Sequence, residues 1–189
     1  MAGATLFSQG DVSDAVFCVV SGLVKLSIHQ SDGAEAVIDV FQPGHSFAEA
    51  LAFRSETYPA SAVALVDSAV FAAPSGVLQD VLQNHPEAFP AILAGTYAHL
   101  HKLVRQIESL KANSGLARLI HYILAVTESA SGAENMTLPF EKQVLASLLG
   151  MKAETLSRSF KRLEPHGVVV DGRQITVRDR KALRRLLEN

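Results

Sequence analysis

Glu154 and Arg158 stand four residues apart in the segment KAETLSRSFKRL (152–163). On a helix that spacing puts both side chains on one face. A carboxylate there can accept a hydrogen bond from cytosine N4, and a guanidinium can pair bidentately with guanine O6 and N7. Phosphate repels the carboxylate, so Glu154 adds nothing to sequence-independent attraction for a polyanion. Ser157 adds a short hydroxyl at the same face. Lys152, Thr155, Lys161 and Arg162 carry donors suited to phosphate oxygens. With Leu156, Phe160 and Leu163 assigned inward, the outward set is Ala153, Glu154, Ser157, Arg158, Lys161 and Arg162. The same residues also fit a solvated helix with one i, i+4 ion pair, worth about 0.3–0.5 kcal/mol. The element that presents them decides between the two.

That element is legible on both sides. PFEKQVLASLLGMKAETLSRSFKRL (139–163) holds two helical stretches around Gly150. Val144, Leu145, Leu148 and Leu149 give the first an apolar face, and Ala146 lets the second cross closely. This is a helix-turn-helix pattern. VVVDGRQITV (168–177) reads as two short strands joined at Asp171-Gly172, a strong hairpin signal. Helix-turn-helix plus hairpin makes a winged helix, with Arg173 on the wing as a further backbone contact. A short amphipathic helix over 179–188 follows, with Asp179 as its cap. Inside this pattern, base reading by Glu154 and Arg158 is favoured over the plain surface pair.

The front of the chain differs. Short apolar runs at 15–20, 23–28, 36–41, 61–65 and 69–73 are punctuated by Gly10-Asp11, Ser21-Gly22, Asp32-Gly33 and Pro43-Gly44. Regularly spaced strands with such turns predict an all-β roll over 1–84. From Glu87 to Lys111 the pattern is one long helix, with Pro90 tolerated in its first turn. Thr96, Leu100, Leu103, Ile107 and Leu110 step by heptad spacing, which fits a dimer seam or a face packed on its own domain. Asn113-Ser114-Gly115 ends that helix, and Ser114 is positioned to cap the next, 116–128. SASGAEN (129–135) reads as a loop. The fold class is α+β, with a roll (1–84), a dimerisation helix (85–112) and a winged helix (113–189).

Charge follows the same division. Residues 1–84 hold 2 Lys/Arg against 9 Asp/Glu, while residues 150–189 hold 10 against 5. The basic tail fits either a polyanion partner or an ordinary solvated surface. The lone Cys18 excludes an internal disulfide and a cysteine-held iron–sulfur cluster. No secretory signal or apolar run of membrane-spanning length is visible, which predicts a cytoplasmic protein without a membrane partner. His45 and Glu49 are the one close pair of metal-ligating residues in the roll. They are the whole basis for an alternative, a metal-dependent cupin-like enzyme; the expectation is a chain with no enzymatic activity.

The layout resembles the Crp/Fnr superfamily of bacterial transcription regulators across essentially the full chain. The roll pattern FxxGDxxxxxFxxxxGxVK is matched by Phe7, Gly10, Asp11, Phe17, Gly22, Val24 and Lys25, and PGxxFxE by Pro43, Gly44, Phe47 and Glu49. The ETxSR core of the reader helix appears as Glu154, Thr155, Ser157 and Arg158. The resemblance implies an effector-controlled homodimer that binds double-stranded DNA and RNA polymerase; the alternative within it is a regulator whose roll binds no ligand and is only a dimer scaffold. It implies an effector pocket formed by His45, Phe47, Glu49, Tyr58 and Leu103. Members that bind cyclic nucleotide carry an arginine where TYPASAVAL (57–65) has none, and Leu103 and Val104 replace polar pocket residues, so cAMP is not expected. YPASA and FAEALAF (47–53) are similar to the nitric-oxide-responsive branch, usually taken to bind haem; a small-molecule or gas effector follows, with His45, His99 and His101 as axial-ligand candidates. Ala153, Glu154, Ser157 and Arg158 resemble the Fnr-type reader, which implies a TTGAT-like inverted repeat. The chain starts near the family's first roll turn, which leaves a misplaced start or a shortened protein as readings.

Overall fold

The computed structural model describes residues 2–31, 33–54, 56–129 and 135–187. The predicted loop 129–135 lies largely outside them, as does Asp32 of the Asp32-Gly33 turn. Two compact units divide the chain, residues 1–103 and 104–189.

The first unit is a roll of two antiparallel sheets. One has the order β1-β6-β3-β4, from Thr5–Phe7, Ser61–Ala64, Val24–His29 and Glu35–Phe41. The other has the order β5-β2-β7, from Ser46–Phe47, Ala15–Ser21 and Ala69–Pro74. Alternation sends every second side chain inward, so Val37, Asp39 and Phe41 of β4 are all buried. An aromatic cluster fills the centre. Phe7 stacks on Tyr58 with ring centroids 3.7 Å apart, and Phe17 stacks on Phe47 at 5.4 Å. Gly22 holds φ +84°, and a Cβ there would sit 2.6 Å from the carbonyl oxygen of Asp67, so no larger residue fits that turn. Helix α1 (Ser75–Asn84) follows, and α2 (Phe89–Ala112) begins after a 3-10 turn at Pro86–Ala88. Pro90, its second residue, meets the tolerance of a first turn for a missing N–H.

The second unit opens with the last turns of α2 and continues in α3 (Gly115–Ser129), α4 (Lys142–Leu148), α5 (Ala153–Leu163) and α6 (Arg180–Arg185). Ser114 caps α3 by accepting from Ala117 N at 3.2 Å, and Asp179 caps α6 by accepting from Ala182 N at 2.9 Å. A three-stranded sheet in the order β8-β10-β9 joins Asn135–Thr137, Gln174–Val177 and Val168–Asp171. Leu119, Leu138, Leu145, Leu163, Ile175 and Leu183 are fully buried and form the centre of this unit. Among the described residues, no helix is long and apolar enough to cross a membrane.

Candidate nucleic-acid interface

Helix α5 is divided sharply between two faces. Leu156, Ser159, Phe160 and Leu163 are buried. Ala153, Glu154, Ser157, Arg158, Lys161 and Arg162 are exposed, as is Lys152 at the N-cap, while Thr155 is half-buried. The inward residues leave the outward ones no freedom to rotate into the core. Glu154 and Arg158 therefore project from the unit. Among the described residues no ion pair joins them, which differs from the i, i+4 pair of the solvated-helix reading. An exposed pair gains only a few tenths of a kcal/mol and loses side-chain entropy in forming. Both groups thus keep their hydrogen-bonding capacity for a partner.

The turn that aims α5 is built tightly. Gly150 adopts φ +60°, and a Cβ placed there would lie 2.6 Å from Leu110 Cδ2. Met151 N donates to Ala146 O at 2.9 Å and Gly150 N to Ser147 O at 2.9 Å. Lys142, at the start of α4, lies 5.8 Å over the Phe160 ring, so that its cation faces the π-face of α5.

Arg118, which sequence reasoning missed, locks this turn. Its Nε donates to Leu149 O at 2.7 Å and its Nη2 to Gly150 O at 3.3 Å. Its Nη1 donates to Asn113 O at 2.7 Å. One guanidinium thus satisfies carbonyls at the end of α2 and at the helix-turn-helix corner. Its signal in the sequence was a lone cation within the apolar helix LARLIHYILAV. Beside it, burial pushes the Tyr122 phenol up to about 12.

The wing stands as a hairpin between β9 and β10, with Gln174 opposite Asp171. Its two-residue loop is Gly172-Arg173, one residue later than the Asp171-Gly172 reading. Gly172, at φ +54°, takes the first loop position, and Arg173 is exposed at the tip. Exposed cations on α5 and on the wing match what phosphate contact requires, and Glu154 stands among them.

The roll residues are distributed over two cavities. His45 and His99 line one of about 440 Å³, together with Asp39, Phe41, Gly95 and Lys102. Phe47 and Tyr58 line a smaller apolar chamber of about 130 Å³ with Phe7, Leu26 and Leu51. Tyr58 is committed to the fold. Its hydroxyl donates to Ala15 O at 2.9 Å and accepts from Ala15 N at 3.1 Å, and burial pushes its phenol above the ordinary value. Glu49 and Leu103 are half-buried and border neither cavity. His101 is exposed and sits against Tyr97, with centroids 5.1 Å apart. Ala60 and Pro59, from the stretch without arginine, face the apolar chamber. Glu49 does not join His45 in a metal site: among the described residues no three His, Cys, Asp or Glu side chains converge.

Along α2 no residue is buried. In the first unit the exposed apolar side chains are Phe89, Leu93, Tyr97 and Leu100; in the second they are Val104, Ile107 and Leu110. Leu100, Ile107 and Leu110 belong to the heptad read from the sequence. Thr96 is exposed, with its Oγ1 donating to Ile92 O at 3.0 Å, and Leu103 is half-buried. The exposed apolar stripe runs through Leu93, Tyr97, Leu100, Val104, Ile107 and Leu110, and takes in three residues of the predicted seam.

Comparison with known proteins agrees with this geometry. Residues 1–85 match a cyclic nucleotide-binding domain and residues 117–186 a Crp-like helix-turn-helix domain. A solved candidate cAMP-binding regulatory protein from Silicibacter pomeroyi DSS-3 is 40% identical, covering 100% of this chain and 84% of that one, with a TM-score of 0.68. The chain belongs to the Crp/Fnr family. Among curated relatives, the nitrogen fixation regulation protein FixK of Azorhizobium caulinodans is 29% identical over 96% of this chain and 75% of its own length. The transcriptional activator protein FnrA of Stutzerimonas stutzeri is 25% identical over 94% and 74%. The FixK2 structure from Bradyrhizobium japonicum, 22% identical with a TM-score of 0.83, shares the fold over 98% of this chain and 93% of that one. As a Crp/Fnr regulator the chain is a DNA-binding transcription regulator, and α5 is the second helix of its helix-turn-helix.

Proposed function

We propose that this Crp/Fnr regulator acts as an effector-controlled homodimer that reads a TTGAT-like inverted repeat. The observation that carries the reading is the unpaired Glu154–Arg158 couple on the exposed face of α5. In the major groove, Arg158 takes guanine O6 and N7 while Glu154 accepts from cytosine N4, each worth about 1–3 kcal/mol of discrimination. Ser157 supplies an adjoining hydroxyl. Lys152, Thr155, Lys161, Arg162 and Arg173 hold the phosphates and set the register.

The apolar stripe of α2 supports dimerisation. Large side chains left in water at this density are paired in a stable protein, and a second copy of the same helix offers a complementary face. A two-fold pair would set its reader helices about one duplex turn, ~34 Å, apart, which an inverted repeat requires. The reading takes RNA polymerase as the transcription partner and the cytoplasm as the compartment, and family membership supports both.

Effector control is read from the roll. Haem is the expectation carried by the resemblance, and it meets a poor fit. The large cavity offers His45 and His99, but Asp39, Gln42, Ser46 and Lys102 share its lining. A macrocycle needs apolar walls, and the apolar chamber of about 130 Å³ lies below the ~300 Å³ at which ligand pockets begin. cAMP lacks a cation at the Pro59-Ala60 stretch for its phosphate.

Fluorescence anisotropy with a TTGAT inverted repeat and with scrambled DNA, over a range of salt, tests the reading alongside light scattering. The expected result is a dimer with strong preference for the repeat. A monomer without preference overturns it. Replacement of Leu100 by Glu is expected to shift the mass to that of a monomer and to weaken repeat binding.

A further inference from the structure

We infer that the smaller roll chamber binds one small, neutral, apolar molecule, the size of a single arene ring. Binding stands on the geometry of the chamber; that it controls the regulator rests on the reading of the roll as an effector domain.

The chamber of about 130 Å³ lies in the aromatic centre of the roll. Phe7, Leu26, Phe47, Leu51 and Ala60 line it, and Tyr58 brings the one polar side-chain group among the described lining residues. That group is spent on the fold: Tyr58 Oη donates to Ala15 O at 2.9 Å and accepts from Ala15 N at 3.1 Å. The Tyr58 backbone is spent as well, its N–H on Asp11 O and its carbonyl on Gly10 N, both at 2.8 Å. Pro59, next along the wall, has no N–H to give. A buried water needs two to four polar partners, and an anion needs donors or a cation. The chamber meets neither need. The larger cavity is of the opposite kind: Lys102 Nζ and Asp39 Oδ1 pair at 2.5 Å in its lining, beside His45 and Ser46, and water satisfies such groups.

A native core closes on itself unless its walls are held apart. Here they are held. Phe7 stacks on Tyr58 at 3.7 Å between centroids, and Phe47 stacks on Phe41 at 4.7 Å and on Phe17 at 5.4 Å. Ala48, also on the wall, holds φ +70° and is the one non-glycine residue with positive φ among those described. Strain of this kind persists only where the surrounding structure imposes it, and it gathers at ligand sites. Ala48 O accepts from Leu51 N at 3.2 Å, which fixes the turn that carries Leu51. Ala48 and Leu51 are half-buried and Pro59 is exposed, while Phe7, Phe47, Tyr58 and Ala60 are buried. The mouth therefore lies between Leu51 and Pro59, and the aromatic rings form the floor. An apolar cavity of ~150 Å³ stays dry and takes benzene or xenon. The chamber is too small for a macrocycle and suits one ring.

Benzene is the probe, with benzoate as its charged counterpart. Methyl NMR of the full chain would follow Leu26, Leu51 and Ala60, with Leu93 and Leu100 of α2 as controls, alongside the melting temperature. The expected result is that benzene shifts the chamber methyls, leaves those of α2 in place and raises the melting temperature with concentration; benzoate does none of these. Leu51→Phe, which sets a ring in the mouth, should weaken benzene by about tenfold or more, because the guest's apolar surface is then left in water. Ala60→Val, which raises the floor, should do the same; if it does not fold, Leu51→Phe at its half-buried position decides. No shift at the chamber methyls, shifts confined to α2, benzoate binding as tightly as benzene, or unchanged affinity in Leu51→Phe overturns the inference. Benzene bound in the chamber with operator affinity unchanged keeps the site and overturns the effector reading of the roll.

Discussion

Arg118→Met isolates the corner that aims the reader helix. The methionine keeps the aliphatic stem and removes three donors. Two of the lost bonds are at 2.7 Å, to Leu149 O and Asn113 O; the third, to Gly150 O at 3.3 Å, is weaker. A hydrogen bond from a charged donor is worth about 1.5–3 kcal/mol. Water can reach the Asn113 end, so the lower value applies to each strong bond. The total is about 3 kcal/mol, or roughly a hundredfold in local opening. Hydrogen exchange reads it directly. The Met151 amide, bonded to Ala146 O at 2.9 Å, should lose about a hundredfold in protection, while amides of β2 and β7 keep theirs. Arg118→Lys should recover little, because one ammonium cannot span three carbonyls. Operator affinity should fall as α5 loses its fixed orientation. A change in Met151 protection below about threefold would refute the reasoning.

Gly150→Ala forces an L-residue into φ +60° and brings its Cβ against Leu110. It should cost about 2 kcal/mol or more, seen as a lower urea midpoint for the winged-helix unit. Tyr122 gives a pH signature. Its phenol is pushed up to about 12 in the fold and returns to ~10 when unfolded. The contribution is complete below pH 10 and drains as pH rises towards 12, on the order of 1 kcal/mol for a half-buried group. Tyr122→Phe should flatten stability between pH 10 and 12 in denaturant titrations; an unchanged slope would contradict it.

Much of this arrangement was readable because it is local. Apolar runs bounded by Gly and Asp became β2, β3, β4, β6 and β7, and Leu156, Phe160 and Leu163 marked the inward face of α5. What escaped depended on partners distant in the chain. β1, β5 and β8 are two or three residues long, and pairing makes them strands rather than propensity. Met136 and Leu138, both buried around exposed Thr137, were the period-2 trace of β8. The wing loop moved by one residue because Asp171 pairs with Gln174. Arg118 and Asp39 were missed for a shared reason: each is a charge within an apolar pattern, and only tertiary contacts show what it serves.

The central claim is that Glu154 and Arg158 read a G·C pair. It is tested by titrating wild type and Arg158→Ala against the TTGAT inverted repeat, its G·C-to-A·T variant and random DNA, with Lys161→Ala as the phosphate control. The account predicts that wild type loses about 5–150-fold on the altered pair, that Arg158→Ala no longer distinguishes the two repeats, and that Lys161→Ala weakens all three DNAs alike. Equal loss on repeat and random DNA in Arg158→Ala would contradict it.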